Sequence, residues 1–445
     1  MERIYLRFRF AMYALRGGFL IRPFAIAIFL GATGAVLSSL EETVPAIGAW
    51  VPSVLFPSRS DPQVAQVILS DVATSIMTVV SIVFAILLMT LTLASTQFSP
   101  RILVSFVRDR TTQWTLGVFL GTFSYCMAAL PAARSLPYPF TPVVTTSGAM
   151  LLALASVGWL IYFIYHISQS INVNYIVDRI ARETELVIDD FMPNPRLPST
   201  SLQASEGYNA VDEITLLNQR SGYIRYVDVN RLLQLARSYR VCIRVERRVG
   251  HFVPAGIPLL RVSQVERITT ERSAHLLATF DIGPTRTMQQ DVEFGVIQIV
   301  DIALRAMSPA INDPSTAISC IDQLSRILIR WVNRAPPPSH LFGPPHVLRI
   351  VVPRINLDGL LDTAFEQIRH YGAADIAVSL RLLRAYNDIA FAAQSNEVRS
   401  ALLDRADRVI AGCTPHLSED AISNLRRRLA PLAGPVGDPA IGHAQ

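Results

Sequence analysis

Four long apolar runs fill the first third of the chain, and no run of that length follows. Residues 24–40, 72–93, 114–130 and 143–165 each approach or exceed the ~20 apolar residues that cross a bilayer as a helix. Beyond them the apolar positions fall into shorter amphipathic stretches. The pattern predicts a mainly α protein: a four-helix transmembrane domain (1–168, spans at about 24–40, 72–95, 114–130 and 143–167), then a mixed α+β cytoplasmic domain.

Periodicity within the spans separates their faces. Ala27, Gly31 and Ala35 in the first, and Gly117 and Gly121 in the third, recur every four residues, which lets neighbouring helices approach closely. In the second, Thr74, Thr78, Ser81, Ala85, Thr92 and Ser95 share one helical face. Interhelical packing explains this stripe more simply than a wet pathway, because no ionisable residue joins it between Asp71 and Arg101. If the protein conducts, Thr74, Thr78, Ser81, Thr92 and Ser95 are the pore-facing candidates, and Ser99-Pro100 bends the helix at its cytoplasmic mouth.

The pattern after the fourth span continues as one helix over 167–190, and 193–207 reads as a loop, so 169–207 connects the two domains. A small β-barrel-like unit follows (208–285). Strands are expected at 223–227, 241–249, 257–262 and 274–282, with a helix at 230–239. The string VGHFVPAGIPLLRV resembles the hairpin of biotinyl-lipoyl barrels without the lysine that is modified there. A mainly helical unit occupies 286–433. Its first helix ends at a break over 308–314, and the next opens with Asp313 as N-cap and Pro314 in its first turn. A strand at 347–352, a helix over 357–371 closed by Gly372 as a C′ residue, and further helices to about 431 complete it. Residues 434–445 are expected to be a disordered tail.

Charge orients the spans. Arg3, Arg7, Arg9, Arg16 and Arg22 precede the first, and Arg101, Arg108 and Arg110 lie between the second and third. Glu41, Glu42, Arg59, Asp61 and Asp71 make the first connection mixed and slightly acidic, and Arg134 stands alone in the Pro-rich turn 131–142. Basic residues collect on the cytoplasmic side. The expected placement is therefore the bacterial inner membrane, multi-pass, with both termini cytoplasmic, and residues 1–40 read as an anchor, not a removed signal.

Composition then excludes chemistry. Net charge is +5, and every basic side chain apart from histidine is arginine. Without lysine there is no Walker A loop, Schiff base or biotinyl-lysine, and arginine does not deprotonate to replace it. The surplus charge suits anionic lipid; no nucleic-acid motif accompanies it. Cys126, Cys242, Cys320 and Cys413 are scattered, which argues against disulfides or a zinc site. No cofactor, metal or catalytic residue is expected.

Four stretches point to a family. TQFSPRILVSFVRDR, SGYIRYVDVNRLLQLA, QDVEFGVIQIVDIALRAMSPAINDPSTAISCID and LDTAFEQIRHYG together resemble the bacterial predicted membrane proteins with domain of unknown function 2254. The resemblance implies the same order of elements and no known activity.

On chemical grounds the turn 308–316 is the best candidate site. Asn312, Asp313, Ser315 and Thr316 meet at a helix start, and Arg286 or Arg305 could join them to hold a small anion or lipid headgroup. An acidic N-cap, however, already occupies the place of an anion, so a purely structural turn explains it more simply. Asp281, Arg286, Asp291 and Glu293 form a charged connection expected to solvate a loop or pair with arginine, and His275 and His370 stand alone. The absence of enzyme motifs argues against an enzyme. The expectation is a homo-oligomeric membrane protein forming or regulating a channel or transport pathway. The alternative is a non-conducting tethered sensor or scaffold that binds a protein, lipid headgroup or small anion.

Overall fold

A computed structural model of the protein describes residues 21–44, 47, 61–97, 109–135, 139–170, 172–192, 212–393 and 395–433. The expected bend at Ser99-Pro100, the arginines at 3, 7, 9, 16, 59, 101 and 108, the loop at 193–207 and the tail lie outside them, as does the Ser95 side chain. The chain divides into two compact units, Met1–Asn172 and Val173–Gln445.

The first unit holds α1 (Ile21–Thr43), α2 (Pro62–Gln97), α3 (Arg110–Ala129) and α4 (Val143–Ser170). All four are long and apolar enough to cross a membrane. Ile76, Val83, Leu116, Phe119 and Phe163 fill the space between α2, α3 and α4, whereas Ile28, Phe29, Leu88, Leu154 and Ile161 are exposed on the outside. A surface this apolar suits lipid as the solvent. Glu41 and Glu42 belong to the last turn of α1, and Asp71 lies inside α2, so the acidic connection is shorter than the charge pattern suggested.

Helix α1 packs on α3 through small residues, but one of them differs from expectation. Gly34 is buried and Ala35 exposed. Seven residues bring a helix almost back to the same direction, so Gly34 continues the face of Ala27, and Ser38 and Glu41 extend it. A Cβ on Gly34 would come within 2.7 Å of the Tyr125 carbonyl oxygen. Gly117 and Gly121 of α3 receive Ile26 and Leu30 of α1.

The second unit begins with α5 (Val173–Phe191). The expected continuous helix is therefore two, one ending at Ser170 and the next starting at Val173; Asn172, a residue type favoured at N-caps, stands at the break. Next come β1 (Glu213–Leu217), β2 (Gly222–Val227), α6 (Val229–Tyr239), β3 (Ile243–Val245), β4 (Phe252–Val253), β5 (Pro258–Ser263), α7 (Thr270–Leu277) and β6 (Phe280–Gly283). After these come α8 (Val292–Ala306), α9 (Pro314–Val332), β7 (His340–Gly343), β8 (Val347–Val351), α10 (Leu357–Tyr371), α11 (Ile376–Ala392), α12 (Asn396–Cys413) and α13 (Glu419–Ala433).

The strands form two sheets, of orders β1-β5-β3-β8-β7 and β4-β2-β6. Pairing is antiparallel except between β3 and β8. Ile224, Leu232, Ile243, Leu260, Val262 and Ile350 make one core beneath them, and β7 and β8 come from beyond the stretch 208–285. Two strand expectations change. Residues 241–249 supply only the short β3 before the chain turns. The stretch 274–282 is strand only at its end, in β6; residues 274–277 belong to helix α7, which the Thr269 hydroxyl caps by accepting from Arg272 N–H; His275 in that helix meets the Tyr239 hydroxyl at 3.1 Å. Gly372 closes α10 at φ −90°, not in the left-handed region expected of a C′ glycine. Glycine is needed there for space, since a Cβ would lie 2.7 Å from Val378 Cγ1.

Candidate functional site

Two of the stretches quoted above, SGYIRYVDVN and QDVEFG, meet where β2 gives way to α6 and α8 begins. The Gln290 side chain receives the Val227 N–H at 3.0 Å and donates to the Val227 carbonyl at 3.2 Å. It thereby extends the edge of β2 as another strand would. Asp228 caps α6 by accepting from Arg231 N–H, and Asp291 caps α8 by accepting from Phe294 N–H. Two helix starts are held side by side.

Asp291 is buried and sits in a network of guanidinium–carboxylate contacts. Arg286 clasps it with Nε and Nη2, each donating at 2.8 Å, and Nη2 also reaches Glu293 Oε2 at 3.0 Å. Arg248 donates to the other Glu293 oxygen at 2.9 Å. Bidentate guanidinium–carboxylate contacts of this kind are strong and directional. Burial resists charge on Glu293, but Arg248 and Arg286 outweigh it and hold the carboxyl below the ordinary glutamate range. Burial and the positive charge of Arg248 lower the pKa of His251. Its unprotonated Nε2 accepts from Arg248 Nε at 2.8 Å. Gly250, at φ +89°, passes so close to Arg286 and Asp291 that a Cβ would collide with both.

Beside this network lies a cavity of about 340 Å³. Tyr226, Asn230, Trp331, Arg247, Arg248 and Arg354 are among its walls. Arg248 is committed to the network; Arg247 and Arg354 form no ion pair among the described residues. No group of three or more His, Cys, Asp or Glu among the described residues could hold a metal. The walls also carry the carboxylates of Asp190, Asp228, Asp291 and Glu293. Asp228 and Asp291 cap helices and Glu293 is paired with Arg248 and Arg286, so the charged donors left to meet an anionic group are the guanidinia of Arg247 and Arg354.

The turn at 308–316 is a separate feature. Asp313 caps α9, accepting from Thr316 N–H at 3.1 Å and from its hydroxyl at 2.6 Å. These bonds hold the carboxyl below its usual range. Asn312 takes the left-handed conformation at φ 49°, and its N–H bonds to the Ser308 carbonyl. Ser315 and Asn312 are exposed. Arg305 sits in the last turn of α8, where its carbonyl accepts from the Ser308 hydroxyl. Arg286 is spent on Asp291 and Glu293, and Asp281 pairs with Arg225 at 2.7 Å, so the structure draws the expected charged connection into two separate clusters.

The hydroxyl stripe of α2 also has a definite place. Thr74, Thr78, Ser81 and Thr92 are exposed on the outside of the first unit. Thr78, Ser81 and Thr92 donate to the carbonyls of Thr74, Met77 and Leu88, four residues back.

Sequence reading misses four contributors. Arg248 falls in the expected strand 241–249, although the adjacent pair Arg247-Arg248 before Gly250 signals a turn, and His251 lies between two expected strands. Gln290 carried no signal. The fourth is Glu41, which is buried and accepts from Val144 N–H, Thr145 N–H and the Thr145 hydroxyl at 2.8, 3.1 and 3.0 Å. It caps α4 from another helix, where the dipole favours a carboxylate.

Comparison with known proteins finds uncharacterized relatives and a family of predicted membrane proteins. Uncharacterized proteins Rv1290c of Mycobacterium tuberculosis H37Rv and Mb1321c of Mycobacterium bovis are each 32% identical to the chain over 383 residues, covering 84% of it and 72% of their own length. Uncharacterized protein MT1328 of Mycobacterium tuberculosis CDC 1551 matches to the same extent. No solved structure matches the chain. The profile of the predicted membrane proteins DUF2254 matches residues 16–388, which takes in the spans, the charge network and the cavity, and the chain belongs to that family.

Proposed function

We propose that this protein is a tethered sensor of the bacterial inner membrane, with both termini cytoplasmic, whose second unit binds a small anion in the cavity beside α8. The observation that carries this reading is the pairing state of the arginines. Arg248 and Arg286 are neutralised by Glu293 and Asp291, while Arg247 and Arg354 face the cavity without an ion-pair partner among the described residues. A rigid, internally satisfied network beside unspent donors is the arrangement that favours binding by preorganisation. No chemical step is assigned to the site.

Inorganic phosphate is the first probe. Thermal unfolding of the full chain in detergent should shift upward in phosphate relative to chloride at equal ionic strength. Arg247→Ser with Arg354→Ser should abolish the shift and leave the starting stability within about 0.5 kcal/mol, as for surface changes generally. An equal shift in the double variant removes the site.

A second reading, an oligomeric channel or transport pathway, is favoured by the outward face of α2. The interior of the single four-helix unit is packed with apolar side chains, so a polar path would have to run between copies, with Thr74, Thr78 and Ser81 around the axis. Liposome flux that Thr78→Leu and Ser81→Leu abolish is the expected result of this reading; unchanged conductance between empty and loaded vesicles removes it.

A further inference from the structure

The cavity beside α8 has room for more than an inorganic ion. Its volume of about 340 Å³ falls in the range of roughly 300–1,000 Å³ usual for sites of organic ligands. A bare anion held by Arg247 and Arg354 would leave much of that space unfilled. The walls away from these arginines are partly aromatic: Phe191 closes α5, Tyr226 lies in β2 and Trp331 in α9. Phe191 is 38% exposed, so its ring has a face to offer.

The same walls hold polar groups that the fold does not use. Asp190, in the last turn of α5, forms no ion pair among the described residues. The Asn230 side-chain amide and the Trp331 indole N–H make no hydrogen bond among them, although Trp331 is only 7% exposed. Desolvation by the surrounding walls lowers the pKa of the Arg354 guanidinium, and no carboxylate offsets this. An acyl chain in the cavity would leave all these groups unsatisfied, which is costly. An acidic amino acid would match the charges, but it has no ring to set against the aromatic walls. The occupant therefore combines an anion, a flat body with acceptors, and a donor for Asp190.

We infer that this ligand is a nucleoside monophosphate. Its phosphate is held by Arg247 and Arg354, its base lies against Phe191 and Tyr226 and accepts from the Trp331 N–H, and a ribose hydroxyl donates to Asp190. The inference rests on the anion-binding reading of the cavity and narrows it to one chemical class. Guanidinium groups match phosphate oxygens, bases stack on aromatic side chains, and a hydroxyl on a carboxylate makes a charge-assisted bond.

Thermal-unfolding titrations of the full chain in detergent, at equal ionic strength, with phosphate, AMP, GMP, CMP and UMP test this. At least one nucleotide should bind with a Kd tenfold or more below that of phosphate. That difference is about 1.4 kcal/mol, which one base–aromatic contact supplies. The matching nucleoside, lacking the phosphate, should bind at least tenfold more weakly than the nucleotide. Asp190→Ala should weaken the nucleotide about tenfold while phosphate binds as well or better, since a neighbouring negative charge is gone. Phe191→Leu should weaken the nucleotide alone, and Phe191→Trp should restore it. Damage to the fold would affect both probes alike, so the ratio of their Kd values reports the site. Phosphate binding that no nucleotide exceeds tenfold overturns the inference and leaves the anion site standing; binding of neither removes both. A nucleoside that binds as tightly as its nucleotide, a ratio unchanged in Asp190→Ala and Phe191→Leu, or glutamate binding more tightly than every nucleotide also overturns it.

Discussion

The two units join their helices by different chemistry. Between α3 and α4 the polar contacts are single neutral bonds: Trp159 Nε1 to Thr115 Oγ1 at 2.9 Å, Thr122 to Ser156 at 3.2 Å, and the Tyr125 hydroxyl to the Thr145 carbonyl at 3.0 Å. Carboxylates occur only at the ends of this contact. Asp109 caps α3 and meets His166 at 3.0 Å, while Glu41 caps α4. Between α5 and α9 one neutral bond, from Ser319 Oγ to Asn174 Oδ1 at 2.7 Å, stands beside a ladder of ion pairs. Arg326 bridges Asp178 and Glu185, and Arg330 and Arg334 share Asp189. Lipid makes a mid-span charge expensive and leaves hydroxyl and indole donors as the connectors. Water at the surface of the second unit screens its ion pairs, so several must act together. The same side-chain alphabet is sorted by solvent.

That contrast can be broken at its strongest point first. Arg286→Ala leaves Asp291 and Glu293 as buried carboxylates short of a partner, and should destabilise the second unit by about 3–5 kcal/mol. Amide exchange across α8 would report it; retained protection there means that water enters and the network is dispensable. Glu41→Ala should cost the first unit about 1–3 kcal/mol by orphaning two backbone N–H groups, and Glu41→Gln should recover part of that because an amide oxygen still accepts. Equal losses for the two variants would show that the charge itself matters.

Asp313→Ala should cost about 1 kcal/mol, the ordinary worth of an N-cap. Its dependence on pH has a definite sign. Because the folded carboxyl titrates below its unfolded value, the contribution is complete above the usual carboxylate pKa. It fades as pH falls through the lowered folded value. Urea midpoints of the two proteins should therefore converge in acid, and a gap that persists there contradicts the assignment. Thr122→Val is the smallest effect, about 0.6 kcal/mol, typical of a hydrogen bond between membrane helices; a loss several times larger would mean that neutral rungs in lipid rival the ionic ones.

Legibility followed the range of the interactions. The spans were readable because hydropathy alone decides them, and α10 because Leu357–Tyr371 has an unbroken apolar face. The Asp313 cap is local, three residues from its partner. Glu41 was not readable, since the groups it caps lie 103 and 104 residues away. Gly34 was mistaken for Ala35 because a four-residue count drifts off a helix face over two turns. The α2 hydroxyls show what periodicity gives and withholds: it locates a face, but not what that face meets. Of the cavity beside α8 the sequence singles out Asp291 and Glu293, while Arg248, the partner of Glu293, falls in an expected strand.

The absence of lysine has a practical consequence at the α5–α9 ladder. Hydrogen bonds donated to Glu185 and Asp189 push the guanidinium pKa values of Arg326 and Arg330 still higher. Alkali strong enough to strip peripheral proteins from a membrane leaves these cations charged, where ammonium groups would be lost. Concentrated salt and acid are then the treatments that loosen the ladder, and membranes washed at high pH remain a sound starting material for studying the second unit.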